Sequence, residues 1–336
     1  MVVLNILLLV VSLAMILYGA SWLTDGGSAV AKRFGMSEMV IGLTIVAFGT
    51  SAPELVISLV SALKGSAGLA IGNVVGSNIA NVLLIVGVVA LVRPIRIEQS
   101  VLTREIPFVV LASLALLAAG NKVWLDGGEN VVTRVDGIML LLFFMVFLRY
   151  TFSQAKKVPD TAALSDNSAS AAKSEESKEA GEADKKRVPL WRAVLMIVGG
   201  LAALIWGGDI FVDNASRLAF SIGISEAVVG LTIVAVGTSL PELATSVVAA
   251  IKGHSGIAVG NVIGSCLFNI LFVLGASAAI TPLPLGGIGN LDLLTMTGAA
   301  LMFWIFGWKI GDREITRAEG AIMTLGYIAY IIMLLR

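Results

Sequence analysis

One stretch of this chain occurs twice. GLTIVAFGTSAPELVISLVSALKGSAGLAIGNVVGS begins at Gly42, and GLTIVAVGTSLPELATSVVAAIKGHSGIAVGNVIGS begins at Gly230, 188 residues later, without a gap and with about two positions in three identical. The match extends backward through Ser37 and Glu38 to Asp25, which face Ser225, Glu226 and Asp213, and forward to Asn81, which faces Asn269. A weaker echo pairs TRVDG at Thr133 with TRAEG at Thr316, each a threonine N-cap with an acidic residue three places on. Any fold for this chain must therefore be assembled from two related halves.

The environment of those halves follows from composition. Of 336 residues 57% are apolar and only 14% charged, and the mean hydropathy is +0.94, which does not suit a soluble domain. Uncharged runs of about 17 to 25 residues recur, the length that crosses hydrocarbon as a helix. A transmembrane barrel would show alternating segments of about ten residues, whereas these runs are continuous. About ten spans are expected, starting near residues 2, 38, 69, 104, 136, 190, 226, 257, 291 and 318. The first run lacks a basic leader and ends in YGASWLTDG, whose repeat partner is WGGDIFVDN, so it is expected to remain in the mature protein. The single cysteine, Cys266, excludes a disulfide framework and a cysteine metal site. A net charge of zero gives no reason to expect a nucleic-acid partner.

The expected fold class is thus an all-α integral membrane protein of about ten transmembrane helices. Its expected domains are residues 1–153, a first five-span repeat; 154–188, a linker; and 189–336, a second five-span repeat. Five is odd, so the second half enters the membrane inverted relative to the first, the plan of many secondary transporters, with the substrate site at the repeat interface near the midplane. The linker, rich in Ser, Ala, Lys and Glu and nearly free of large apolar residues, is expected to be disordered. Counting Lys and Arg on ten alternating spans gives nine against five even without the linker, and the linker adds nine more to the richer side. By the positive-inside rule the linker is cytoplasmic and both termini are outside a multi-pass cell-membrane protein. Oligomeric state is not legible.

GTSAPE and GTSLPE fall at the centres of the second and seventh spans. Pro53 has no N–H for the Gly49 carbonyl and crowds it, so the helix should bend there; Pro241 should act alike beside Gly237. Freed backbone oxygens at that depth need a ligand. Nearby stand Thr50, Ser51 and Glu54 in the first motif, and Thr238, Ser239 and Glu242 in the second. The following spans add Asn73, Ser77 and Asn81, and Asn261, Ser265 and Asn269, each trio spaced by four and so on one helix face. Gly72, Gly76, Gly260 and Gly264 should let these spans pack closely. The donors are all hard oxygens, as calcium or sodium requires, and two carboxylates balance one divalent ion. Simpler readings apply elsewhere. Asn73 or Asn261 alone can serve merely to bond a neighbouring helix, GNVVGSN lacks the lysine of a nucleotide loop, and His254, Asp25, Asp126 and Glu129 read as solvated loop residues. For two mid-membrane acids a structural role is a poor explanation, since each costs about 2.5 to 3.5 kcal/mol to insert.

A doubled GTSxPE followed by a doubled GNxxGS resembles the sodium/calcium exchangers of the cation/calcium antiporter superfamily, specifically the short prokaryotic members, over nearly the whole chain outside the linker. The resemblance implies ten spans, an inverted repeat and ion ligands from the second, third, seventh and eighth spans. Position by position it points to Thr50, Ser51, Glu54, Ser77, Asn81, Thr238, Ser239, Glu242, Ser265 and Asn269, with the backbone carbonyls of Ala47 and Ala235. Some relatives, including potassium-dependent exchangers, carry Asp where this chain has Asn269, which argues against potassium co-transport.

The expected function is a secondary antiporter, not an enzyme, that exchanges cytoplasmic calcium for external sodium; both ions are cargo and no cofactor is expected. The alternative is a calcium/proton antiporter, disfavoured because relatives with that activity tend to carry Gly-Asn-Ala-x-Glu in place of GTSxPE. A channel or an intramembrane hydrolase would leave the duplicated Thr, Ser, Asn and Pro unexplained. Deleting residues 160–184 is predicted to leave calcium uptake into vesicles within about twofold of the full chain, because disordered polar chain adds little to a packed membrane core. Loss of uptake at unchanged membrane insertion would make the linker regulatory.

Overall fold

The computed structural model describes residues 2–155, 188–221, 235–310 and 313–334. The expected disorder of the linker, and the expected start of the seventh span at Glu226, lie outside the described residues. Ten helices in two inverted five-helix repeats cross the membrane: α1 (Val2–Phe34), α2 in two pieces (Glu38–Thr50 and Ala52–Leu63), α3 (Ala67–Val92), α4 (Val101–Ala119), α5 (Arg134–Ala155), α6 (Leu190–Ser221), α7 in two described pieces (Ala235–Thr238 and Leu240–Lys252), α8 (Ser255–Ile280), α9 (Asn290–Trp308) and α10 (Arg317–Leu334). A short helical turn, Lys122–Asp126, precedes α5.

Burial sorts these helices into a core and a shell. Of the most apolar 18-residue window, 94% is buried in α8 and 78% in α3, against 28% in α1, α5, α6 and α10. The shell helices turn Leu7, Leu142, Trp206 and Leu325 outward, as a lipid-facing surface demands. Polar side chains collect instead in α2, α3, α7 and α8, the four spans that carry the repeated motifs.

Helix starts follow the sequence signals. Thr133 and Asp136 form a reciprocal capping box at α5: the carboxylate accepts the Thr133 N–H at 2.7 Å, and Thr133 Oγ1 accepts the Asp136 N–H at 3.3 Å. Thr316 and Glu319 repeat it at α10, with Thr316 N–H donating to the carboxylate at 2.7 Å. Lys122 also pairs with Asp136. Periodicity did not reveal two clasps between the halves: Ile95–Arg96 pairs antiparallel with Glu314–Ile315, and Val131–Val132 with Leu283–Pro284. Each clasp ties a loop of one half to a loop of the other, and each is two residues long, too short to register as a strand pattern.

Two close approaches organise the helices. α1 and α6 run antiparallel, and their backbones touch at Gly19 and Gly200: a Cβ on Gly19 would lie 2.8 Å from the Gly200 carbonyl oxygen, and one on Gly200 2.7 Å from that of Gly19. α2 crosses α8 as tightly, since a Cβ on Gly260 would lie 2.7 Å from the Met39 carbonyl oxygen and 3.0 Å from Gly42 Cα. Gly264 is likewise pressed onto Leu43. The expectation of close packing thus holds for Gly260 and Gly264. Among the described residues Gly72 meets only the Ile288 side chain and Gly76 meets nothing within 4 Å.

Substituting Gly260 by Ala is predicted to destabilise the folded protein by about 1 to 3 kcal/mol, because the added methyl is forced into backbone. Gly298→Ala, at a helix position with open space beside it, is the control and should be neutral. Equal melting temperatures for the two variants in detergent would contradict this packing.

Candidate ion-binding site

The break in α2 lies where the proline places it. Its two pieces meet at 48° around Ser51, whose φ of −87° and ψ of 10° depart from the helix, and Pro53 follows in the first turn of the second piece. In α7 the same break falls at Ser239, φ −90° and ψ 6°, with Pro241 following. A wide π-helical stretch, Gly42–Val46, precedes the first break, and similar stretches, Ala80–Ile85 and Phe268–Leu274, carry Asn81 in α3 and Asn269 in α8. Such turns widen a helix locally and gather at functional sites. The bend also points Glu54 and Glu242 inward from the first turn of a helix, where the free N–H end favours a carboxylate.

The two halves meet through these side chains. Glu54 and Glu242 are each 1% exposed and within electrostatic reach of one another. Ser51 Oγ donates to Glu242 Oε1 at 2.8 Å and lies 2.9 Å from Ser265 Oγ, so a residue of the first motif is bonded to the carboxylate of the second. Thr50 donates to Asn261 Oδ1 at 3.1 Å. Ser77 Oγ stands 3.5 Å from Glu54 Oε1, a long contact. Asn81, Ser239 and Asn269 are buried in the same region of these four spans, and Thr238 is half-buried.

The helix-bonding reading of Asn73 and Asn261 matches their contacts. The Asn73 amide donates to Ser58 Oγ at 2.9 Å and to the Glu54 carbonyl at 3.1 Å; the Asn261 amide donates to Ser246 Oγ at 3.0 Å and to the Glu242 carbonyl at 3.3 Å. Each asparagine thereby fixes the backbone of the glutamate on the neighbouring span. Ser58 and Ser246 stand 188 residues apart and play one role twice, yet sequence reading passed over them; the repeat offset was the signal that finds them.

Several buried atoms here have no partner: Glu54 Oε2, Glu242 Oε2, Ser239 Oγ, and both the oxygen and the nitrogen of the Asn81 and Asn269 amides. Buried polar groups are ordinarily bonded, and leaving one unpaired costs about 1 to 3 kcal/mol. No Lys or Arg is paired with either glutamate among the described residues, nor is there any group of three or more His, Cys, Asp and Glu side chains fit for a soft metal. The Ala47 carbonyl accepts the Ser51 N–H at 3.0 Å and lies 3.4 Å from Thr50 Oγ1, so it is not freed by the break. Two loop residues read as solvated are held instead. Asp25 belongs to α1 and pairs with Lys252 at 2.6 Å, and His254 Nδ1 lies 2.7 Å from Glu38 Oε1 with both side chains largely buried. Both corrections have one cause: a turn of helix brings a distant span against the residue.

A buried cluster of carboxylate, hydroxyl and amide oxygens at the interface of two inverted membrane repeats defines a secondary transporter of cations. Comparison with known sequences is more specific. Residues 4–153 and 192–336 match the family described as sodium/calcium exchanger protein, and the chain belongs to that family of cation/calcium antiporters. It is 35% identical over 324 residues to the putative antiporter CaxA of Alkalimonas amylolytica, covering 95% of each chain. It is also 35% identical over 362 residues to the sodium/calcium exchanger MaX1 of Methanosarcina acetivorans, covering 99% of each. A solved structure of the sodium-calcium exchanger NCX_Mj, soaked with zero Na+ and Ca2+, superposes with a TM-score of 0.80 at 28% identity, over 99% of this chain and 100% of that one.

Replacing Asn261 by Ala removes two bonds that Asn261 donates and one that it accepts. The ion-free protein is predicted to lose about 1 to 3 kcal/mol of stability, read as a lower melting temperature in detergent. Asn73→Ala should have a similar effect; wild-type melting of both would show that these amides do not fix the glutamates.

Proposed function

We propose that the protein exchanges calcium for sodium across the cell membrane by alternating access, at one site shared by the two ions. The observation that carries this reading is the pair of buried, inversely related carboxylates, Glu54 and Glu242, which have unpartnered oxygens and, among the described residues, no cationic side chain beside them. The ligand set we assign is Thr50, Ser51, Glu54, Ser77 and Asn81 with Thr238, Ser239, Glu242, Ser265 and Asn269, plus the carbonyls of Ala47 and Ala235. These are all oxygen donors, more than the about six to eight that calcium takes at a time, and calcium tolerates irregular geometry. Two glutamates balance one calcium ion or two sodium ions, which makes the two cargoes alternatives. The names of MaX1 and NCX_Mj support sodium as the counter-ion.

In this reading the paired helices α1 and α6 slide along the ligand-bearing spans to open the site to either side, and occupancy shifts that equilibrium only as far as the ions bind the two states differently. The linker and the basic loops face the cytoplasm, and the termini face outside. The linker is a separate unit between repeats 1–153 and 189–336. Asn269 supplies an oxygen without a charge, so potassium is neither required nor carried.

The test is calcium uptake into vesicles under an imposed sodium gradient, a proton gradient, or neither, paired with calcium-dependent thermal stabilisation of the purified protein. Sodium-driven uptake is expected, unaffected by potassium. Calcium at about a hundredfold its dissociation constant should stabilise the protein by about 2.7 kcal/mol. Glu242→Gln or Glu54→Gln should abolish both effects, because removing one charge leaves a divalent ion half-compensated in a low-dielectric site. Uptake driven only by protons would make the protein a calcium/proton antiporter; normal exchange in either glutamine variant would move the site elsewhere.

A further inference from the structure

The two ends of the α1–α6 pair differ in a way the repeat makes legible. Lys252, the last residue of α7, reaches across to α1: its Nζ lies 2.6 Å from Asp25 Oδ2, 2.7 Å from Ser21 Oγ and 3.3 Å from the Ser21 carbonyl. This contact sits on the face from which α6 begins, since α6 runs antiparallel to α1 and the Ala193 end of α6 packs on Gly26. The repeat offset maps Lys252 onto Lys64, Asp25 onto Asp213 and Ser21 onto Asp209. Those three residues belong to the opposite face, and their arrangement there is different. Lys64, just past the end of α2, is exposed and makes no ion pair among the described residues. Asp213 is bonded instead to Arg217 of its own helix at 2.9 Å. A cavity of about 530 Å³ opens at this end, lined by Ile57, Asp209, Asp213 and Thr238, and it reaches Pro53 and Pro241 at the two helix breaks. At one end a lysine is bonded to α1; at the other, among the described residues, a cavity runs in towards the helix breaks and the equivalent lysine, at the end of α2, has no ion pair.

We propose that Lys252 and Lys64 are alternating latches: Lys252 closes one mouth on Ser21 and Asp25 in this structure, and in the opposite state Lys64 closes the other on Asp209 and Asp213 while Lys252 lets go. The geometry of α1 and α6 makes the two closures exclusive. The glycine contacts align Asp209 with the α1 backbone near residue 12, about 20 Å along the axis from Asp25 at 1.5 Å per residue. Asp25 and Asp209 thus sit at opposite ends of one packed pair, while the two lysines sit on the helices it moves against. A slide that carries the acids of one end up to their lysine carries the acids of the other end away. The latches are also unequal. Asp209 stands where the first half has Ser21, so the open mouth offers its lysine two carboxylates, one of them already engaged by Arg217. Partly exposed ion pairs are weak, which suits a latch that must release every cycle.

This proposal rests on the alternating-access reading, and its test keeps the two apart. The reporter is Ile57→Cys, in the open cavity, reacted with a membrane-impermeant thiol reagent in reconstituted protein; the native Cys266 is buried. Adding Lys252→Met should slow labelling of the reporter about two- to fivefold, the equilibrium shift expected for losing one partly exposed pair. Lys252→Arg should not, since it keeps the charge. Adding Lys64→Met to the Lys252→Met protein should restore the faster labelling, which a merely destabilised protein would not do. Unchanged labelling in the Lys252→Met protein, or no recovery in the double variant, overturns the latch. Should Lys252→Met not fold, Asp25→Asn takes its place with the same expected direction. Calcium-dependent stabilisation of these variants needs the ion site but not the latches; its persistence while labelling fails to respond would reject the latches alone, and its absence in every variant and in the parent would reject the functional reading.

Discussion

Two carboxylates buried at the middle of a membrane, with no positive side chain beside them among the described residues, are the constraint to which the rest of the molecule answers. A charge in that position is costly, and here the same cost is incurred twice, at Glu54 and Glu242, in spans that face each other. The arrangement around them lowers that cost without removing it. Each glutamate lies in the first turn of a helix restarted by proline, and each has its carbonyl tied by an asparagine of the next span. Ser51 bonds Glu242 across the interface. What remains uncompensated is a set of oxygens that protein groups do not satisfy, and a cation is the partner chemically suited to them.

Holding that cluster together demands unusually close backbones, and glycine makes this possible. At Gly42 and Gly260 the helices α2 and α8 touch without intervening side chains, which leaves the hydroxyls and amides a residue or two away free to reach across. The contact between α1 and α6 has the same character but another consequence. Small residues let these two backbones approach closely, so α1 and α6 pack as one tightly joined unit.

Duplication makes the halves alike, and the departures from likeness carry their own meaning. Phe48, Phe268, Phe272 and Phe144 cluster on one side of the site, with ring centroids of Phe48 and Phe268 4.2 Å apart, while the repeat places Val236, Ala80 and Leu84 where the first three would recur. Ser51 is bonded to Glu242 whereas its counterpart Ser239 has no partner. An inverted repeat with identical halves would have two access states of equal energy. In the alternating-access reading, substitutions of this kind remove that equality.

The sequence by itself determined the membrane environment, the ten spans, the inversion and the breaks at Pro53 and Pro241, because each follows from local chemistry: run length, an odd number of crossings per half, and a missing N–H. It also marked the polar residues of four spans, since burying Glu, Asn and Ser in apolar runs is conspicuous wherever it happens. The tertiary structure decided what those residues touch. That Asn73 and Asn261 fasten carbonyls, that Ser51 serves the glutamate of the other half, that Asp25 meets Lys252 and His254 meets Glu38, and that two-residue strands clasp the loops are all contacts between positions far apart in the chain. Periodicity reports which face of a helix a residue occupies, and it carries no information on the neighbour that face will meet. Which mouth is shut was likewise beyond the sequence, because the repeat writes both mouths with the same lysine and only the packing of α1 and α6 against their neighbours selects between them.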